Sequence, residues 1–184
     1  MEVTFVNPGA EYMIQQIMQT ENDSAFWSEP LYYFYPQLDK SYAKSLPFSE
    51  RNSYIGHTLR SIYVELEDCI NEKVALYSQH WQNCKGQITA ALSDAFGVDC
   101  ANLFCDLQCN VSMNPIQPRF LTERRFDVFY LNSEKGAIGT SIHEMMNLCA
   151  TAMTIAKSMN RKFGRIFKNP NSKLMLDTKK VQSL

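Results

Sequence analysis

The longest regular pattern in the chain is a series of apolar residues that recur every three to four positions between residues 49 and 96. This spacing is typical of one face of an α-helix, and Gly97 is a typical helix end. A single straight helix here would be about 70 Å long, so we expect a break within residues 78–86 that divides it into two helices. The apolar positions are Leu59, Ile62, Leu66, Ile70, Val74, Tyr77, Trp81, Ile88, Leu92 and Phe96.

Two segments with strand character follow this helical region. Residues 103–113 alternate between apolar and mostly polar side chains, which is the period of a half-buried strand. Asn114-Pro115 ends this segment, and residues 125–131 form a second one that is rich in Phe and Tyr. We expect the two strands to pair as a meander through residues 114–124, which gives a small antiparallel sheet.

The last strong pattern is a helix that begins after Ser133, a suitable N-cap residue, and ends near Phe163-Gly164. Near the other end of the chain, residues 11–18 suit a short helix, whereas residues 21–50 look irregular. Aromatic residues are dense in this irregular region. We interpret them as a loop that packs on the core, with a ligand platform as the alternative. They are Phe26, Trp27, Tyr32, Tyr33, Phe34 and Tyr35.

These elements predict an α+β fold with a helical N-terminal half, a small antiparallel sheet and a long C-terminal helix. We expect residues 1–164 to form a single domain. Residues 165–184 have no strong pattern and are rich in Lys and Arg. We expect them to be a basic tail that is partly disordered or carries one short helix at most.

Composition places the chain among soluble globular proteins, since 45% of its 184 residues are hydrophobic and 20% are charged. No apolar run approaches the length of about 18 residues that a membrane helix needs, and the N-terminus does not resemble a signal peptide. We therefore expect a cytoplasmic protein with no membrane partner. Its six Cys residues are interpreted as free thiols.

The charge is unevenly distributed along the chain. Residues 1–147 carry 10 Lys and Arg against 18 Asp and Glu, a net charge of −8. Residues 148–184 carry 8 Lys and Arg against one acid, Asp177, a net charge of +7. Such asymmetry between segments is typical of an interaction tail.

Candidate chemistry lies in the segment Ile142-His143-Glu144-Met145-Met146-Asn147, on the last predicted helix. Zinc peptidases carry His-Glu-x-x-His on a helix, where the two histidines bind the metal from one face and the glutamate activates the bound water. Here His143 is the candidate metal ligand and Glu144 the candidate general base. Asn147 occupies the position of the second histidine.

The other ligands for such a metal are poor. The amide oxygen of Asn147 is a weak zinc ligand, because zinc prefers imidazole, thiolate and carboxylate groups. A catalytic zinc ion also needs a third protein ligand, and Asp177 is the only carboxylate after Asn147. The candidate metal ligands are therefore His143, Asn147 and Asp177, and we expect zinc binding to be weak or absent.

A longer part of the chain, about a third of it, resembles a family of bacterial proteins with a zincin-like His-Glu-x-x-His motif. The resemblance begins at Trp81 and ends at Met146. It is carried by Trp81, Leu92-Ser93-Asp94-Ala95-Phe96-Gly97, Cys109-Asn110-Val111-Ser112, Pro118-Arg119-Phe120, residues 126–130 and Ser141-Ile142-His143-Glu144-Met145-Met146.

The resemblance implies a minimal zincin architecture, in which an antiparallel edge strand flanks the active-site cleft and binds the substrate backbone. It implies His143 as a metal ligand and Glu144 as the base, but it does not extend to Asn147. In that family the motif is followed by aromatic residues and later by an acidic segment that supplies a further ligand. This chain continues Leu148-Cys149-Ala150 and becomes basic, which suggests a replaced or rearranged zincin tail.

Two function classes follow from these observations. In the first, the protein is a zincin-like metal-dependent peptidase or hydrolase relative with an incomplete metal site, weak or inactive, whose substrate would be a peptide or protein. In the second, it is a non-catalytic interaction module that binds protein or nucleic acid through its basic C-terminal segment. Nucleic acid is the less favoured partner, because no helix-turn-helix or Gly-rich phosphate loop is visible.

Two further groups of residues have candidate roles. His80 and Cys84 with Cys100, Cys105 and Cys109 lack the paired Cys-x-x-Cys spacing of zinc ribbons, so these cysteines are interpreted as core thiols. Cys109 as a nucleophile with His57 or His80 is the alternative. Arg119, Arg124 and Arg125 could bind phosphates, and a solvated surface is the alternative.

Overall fold

The computed structural model of the protein describes residues 1–23, 25–97, 99–103, 106–115, 119–122 and 124–163. This part of the chain is mostly helical and contains one four-stranded sheet. Its elements are β1 (Val3–Val6), α1 (Ala10–Asp23), α2 (Ala25–Phe34), α3 (Lys40–Ser45), α4 (Phe48–Phe96), α5 (Cys100–Leu103), β2 (Leu107–Ser112), β3 (Arg119–Thr122), β4 (Arg125–Phe129) and α6 (Glu134–Phe163).

The strands lie in the order β1-β2-β4-β3. Strand β2 pairs in parallel with both β1 and β4, and β3 at one edge runs antiparallel to β4. The prediction of an antiparallel sheet, with β2 and β4 as a meander, is therefore wrong. The chain passes through β3 before it returns as β4, so β4 points in the same direction as β2. The broader α+β class, with its helical N-terminal half and long C-terminal helix, agrees with this architecture.

The two faces of the sheet differ in polarity. One face packs on α4 and α6, and there the ring of Phe5 contacts the ring of Tyr77 edge-on, with centroids 6.0 Å apart. The opposite face bears polar side chains, which include Asn110 and Asp127. The buried side chains of the first face are Val3, Phe5, Leu107, Cys109, Val111, Phe126 and Val128.

Helix α4 is continuous over 49 residues, so the predicted break within residues 78–86 is wrong. Its apolar residues contact different elements along its length: its packing partners include α1 and α3, and also β1, β2 and α6. A straight helix of this size is about 74 Å long. It ends at Gly97, as predicted, and Gly97 adopts the left-handed conformation with φ of 63°.

The region predicted to be irregular contains two helices, so that prediction is wrong as well. Helix α2 includes Pro30, and the carboxylate of Asp39 caps α3 by accepting a hydrogen bond from the Tyr42 N–H. Tyr32 and Tyr35 are buried, which agrees with aromatic packing on the core. Tyr33 is instead 80% exposed.

Helix α6 begins as predicted, because the Ser133 hydroxyl accepts a hydrogen bond from the Gly136 N–H at 3.0 Å. The described part of α6 reaches Phe163, so its predicted end near Phe163-Gly164 lies at the limit of the described residues. Residues 165–184, the predicted basic tail, lie outside the described residues, and the domain boundary stays a prediction. Within the described ranges, no helix is both long and apolar enough to span a membrane.

Candidate functional site

Helix α6 presents one face to the core. Ala137, Ser141, Met145 and Cys149 recur every four residues and are fully buried. This stripe packs towards β4 and α4. Glu144 lies beside it and is only 3% exposed, although it is an acidic residue. Acidic side chains are rarely buried so deeply, so the burial of Glu144 is an unusual feature of the described part of α6.

His143 and Asn147 lie on a different side of α6 from the buried stripe. Both residues are exposed, and they are one helical turn apart, as the two histidines of a zinc peptidase motif would be. Adjacent positions on a helix differ by about 100°, so Glu144 points away from His143 and towards the core. The two candidate ligands thus share a face, while the candidate base is buried next to it.

A catalytic zinc ion does not fit the donors present at this position. His143 offers one imidazole and Asn147 one amide, which leaves the site short of the three good ligands that catalytic zinc requires. The residues described by the structure contain no group of three or more His, Cys, Asp and Glu side chains that could hold a metal. Asp177, the third candidate ligand, lies outside the described residues.

The core-thiol interpretation fits Cys109. This residue is on the buried face of β2, and the Ser141 hydroxyl of α6 lies within hydrogen-bonding reach of its sulfur. Burial raises the pKa of the Cys109 thiol well above its ordinary value, and the negative charge of Asp127 raises it further. A thiol that stays protonated and inaccessible is a poor nucleophile, which argues against the alternative role for Cys109.

The opposite face of the sheet carries a polar cluster that was not predicted from the sequence. Asn110 and Asp127 are directly paired in the β2–β4 register and are both fully buried. The Asn110 amide donates to Asp127 Oδ1 at 2.8 Å, and the Gln108 amide donates to Asn110 Oδ1 at 2.7 Å. The Tyr12 hydroxyl of α1 lies 3.2 Å from Asp127 Oδ1 and 2.9 Å from the Asn110 amide nitrogen.

This cluster holds α1 against the sheet. Burial raises the pKa of Tyr12 above its ordinary value, and the nearby negative charge of Asp127 raises it further. Tyr12 therefore remains a neutral hydrogen-bond donor within this cluster. An acidic residue inside the apolar strand Phe126-Asp127-Val128-Phe129 was the only signal of it in the sequence.

The arginines predicted as candidate phosphate ligands differ in their surroundings. Arg124 forms an ion pair with Asp106, whereas Arg125 is exposed on the polar face of the sheet. Comparison of the chain with protein-family models, with curated proteins and with solved structures finds no match.

Proposed function

We propose that the protein is a relative of the zincin-like metal-dependent hydrolases in which the metal site is incomplete, with weak or no peptidase activity. The observation that carries this proposal is the pair His143 and Asn147, exposed one turn apart on α6 beside the nearly buried Glu144. An active zincin needs an imidazole at the position of Asn147 and a further ligand. The chain keeps the first ligand and the glutamate on the helix but lacks the second histidine.

Restoring the second histidine tests this proposal directly. The wild-type chain, after dialysis against zinc and removal of excess metal, is expected to retain well under one zinc ion per chain by elemental mass spectrometry. Asn147→His is expected to raise zinc affinity by about tenfold or more, because a strong imidazole ligand replaces a weak amide one. The double variant His143→Ala with Asn147→His is the matched control and should return to the wild-type affinity.

Two outcomes of this experiment would contradict different parts of the proposal. One tightly bound zinc ion per wild-type chain would show that the metal site is complete. An Asn147→His variant whose metal content stays unchanged at saturating zinc would remove the zincin interpretation altogether. A peptidase assay with an unstructured protein substrate complements the measurement. Any activity of the wild-type chain should be lost in Glu144→Gln if Glu144 is the base.

A second candidate function is the binding of an acidic partner by residues 148–184, favoured by their net charge of +7. Duplex DNA labelled with a fluorophore is the probe. The charge-reversal variant Lys179→Glu with Lys180→Glu should bind DNA more weakly. The slope of log affinity against log salt concentration should also fall, by about one for each phosphate that the protein no longer neutralises. Absence of binding at low salt would exclude nucleic acid as the partner.

A further inference from the structure

Two cysteines from different parts of the chain touch inside the core. Cys100 begins the short helix α5, just after the end of α4, and Cys149 lies on the buried stripe of α6. Their sulfur atoms are 3.9 Å apart, and both residues are fully buried. The contact joins residues that are 49 positions apart in the sequence. It therefore connects the end of the long helix with the helix that carries His143.

No other pair of described cysteine residues makes such a sulfur–sulfur contact. Cys69 and Cys84 are partly exposed positions on α4, and Cys109 lies on β2 next to Ser141. Because Cys100 and Cys149 are both fully buried, any reaction between them and a reagent requires local opening of the interface.

We propose that Cys100 and Cys149 form a reversible disulfide that links α5 to α6. The sulfur atoms, now 3.9 Å apart, must approach to about 2.05 Å for the bond to form. The bond would hold the middle of α6 against the end of α4. Forming or breaking this link would change the stability of the helix that carries His143, Glu144 and Asn147.

The oxidant is a small disulfide such as oxidised glutathione. One cysteine loses its proton and attacks the S–S bond of the reagent, which gives a mixed disulfide and releases one reagent thiolate. The second cysteine then loses its proton and attacks the protein sulfur of that mixed disulfide. The Cys100–Cys149 bond forms and the second reagent thiolate leaves. Both thiolates take up protons, so each protein thiol loses one hydrogen and the reagent disulfide is reduced to two thiols.

The test compares the equilibrium constant for this disulfide in the folded and the unfolded chain. The protein is equilibrated with mixtures of reduced and oxidised glutathione, quenched with acid, alkylated and mapped by mass spectrometry. If the bond fits the folded structure, its equilibrium constant should be about 30-fold or more larger in native buffer than in concentrated guanidinium chloride. A disulfide that stabilises the folded state implies a ratio of this size. The linked peptides should contain Cys100 and Cys149.

Control variants define the pair. The measurement is made in a Cys105→Ser background, because Cys105 is close to Cys100 in sequence and could exchange with it. Cys84→Ser should leave the bond unchanged, whereas Cys100→Ala and Cys149→Ala should each abolish it. An equal or smaller equilibrium constant in the folded chain, or a linked peptide that joins other cysteines, would overturn the proposal. The main comparison needs neither Ala variant to fold.

Discussion

The hydroxyl of Tyr77 joins the middle of α4 to the turn that precedes α6. It lies 3.1 Å from the carbonyl oxygen of Tyr130 and 2.6 Å from that of Asn132. The ring is fully buried and contacts Phe5 of β1. Burial raises the pKa of Tyr77 to about 12. One side chain thus positions a helix, an edge strand and the connection between β4 and α6.

Removing this hydroxyl should cost stability in a way that depends on pH. Tyr77→Phe is expected to lower the free energy of unfolding at neutral pH by about 1–2 kcal/mol, because two carbonyl groups lose the single hydroxyl proton that they share. The folded-state pKa is raised from 10.0 to about 12, so this contribution is complete below pH 10 and is lost as the pH rises through about 12. Urea unfolding of both proteins at neutral pH and at pH values above 10 measures the difference.

Tyr33→Phe is the matched control, since Tyr33 is 80% exposed. It should leave the free energy of unfolding nearly unchanged at neutral pH. A Tyr77→Phe protein that matches the wild type at neutral pH, or a difference that grows at high pH, would contradict this assignment.

The candidate site could be predicted only in part at this scale. The sequence identifies His143, Glu144 and Asn147 because the spacing of a metal motif is local. It does not tell that Glu144 is nearly buried while its neighbour His143 is exposed, since that depends on how α6 packs. The cluster of Tyr12, Asn110 and Asp127 joins residues more than 100 positions apart at its extremes, and such contacts leave no local pattern.

Gly86 inside helix α4 and Gly97 just after its end have contrasting conformations. Gly86 lies within the helix, and a side chain added there would meet nothing within 4 Å. Gly97 ends the helix with a φ of 63°, and a side chain added there would also meet nothing within 4 Å. Available space is therefore the same at both positions, and the backbone conformation alone distinguishes them.

Alanine at these two positions should have opposite effects on stability. Gly97→Ala is expected to destabilise the protein by about 1 kcal/mol, because L residues other than Asn and Asp are strained in the left-handed region. Gly86→Ala is expected to stabilise it by up to about 1 kcal/mol, since alanine favours the helical conformation. Thermal unfolding of both variants beside the wild type provides the measurement. Shifts of the same sign would contradict the assigned conformations.

The elements with the strongest periodicity were predictable, whereas the short helices α2 and α3 and the arrangement of the sheet were not. Periodicity placed α4, α6, β2 and β4 close to their observed positions, because each buries a regular face. The direction of β4 relative to β2 depends on the short strand β3 between them. The alternating pattern of β2 and β4 gives no sign that β3 exists. The break predicted in α4 is absent, because its apolar face packs against successive elements along the whole helix. The expectation of a break assumed that a compact domain could not hold a helix of this length.

At the scale of the whole molecule, one hydrophobic core runs along α4. It includes Leu31 and Leu38 near the N-terminal helices, Tyr77 and Trp81 in the middle, and Met145 on α6. The cluster is continuous among the described residues, so the N-terminal helices and the sheet share one buried core. This continuity favours a single cooperative unit.

We therefore expect one unfolding transition. Circular dichroism of the helices and near-ultraviolet signals of the aromatic core should give the same midpoint in guanidinium chloride, because α4 belongs to both ends of the core. Cys84→Ser, a substitution at a partly buried position on α4, is a control that should keep the two curves coincident. Two separate midpoints in the wild type would show that the N-terminal helices unfold independently of the sheet.

The length of α4 also affects how the molecule rotates in solution. A compact chain of 184 residues has a radius of gyration of about 16 Å and is about 40 Å across. A helix of about 74 Å exceeds that diameter, so end-over-end rotation is slower than spinning about the helix axis. The N–H bonds of a helix lie nearly along its axis. The amides of α4 should therefore show higher ratios of transverse to longitudinal nitrogen relaxation than rigid amides whose N–H bonds lie across that axis.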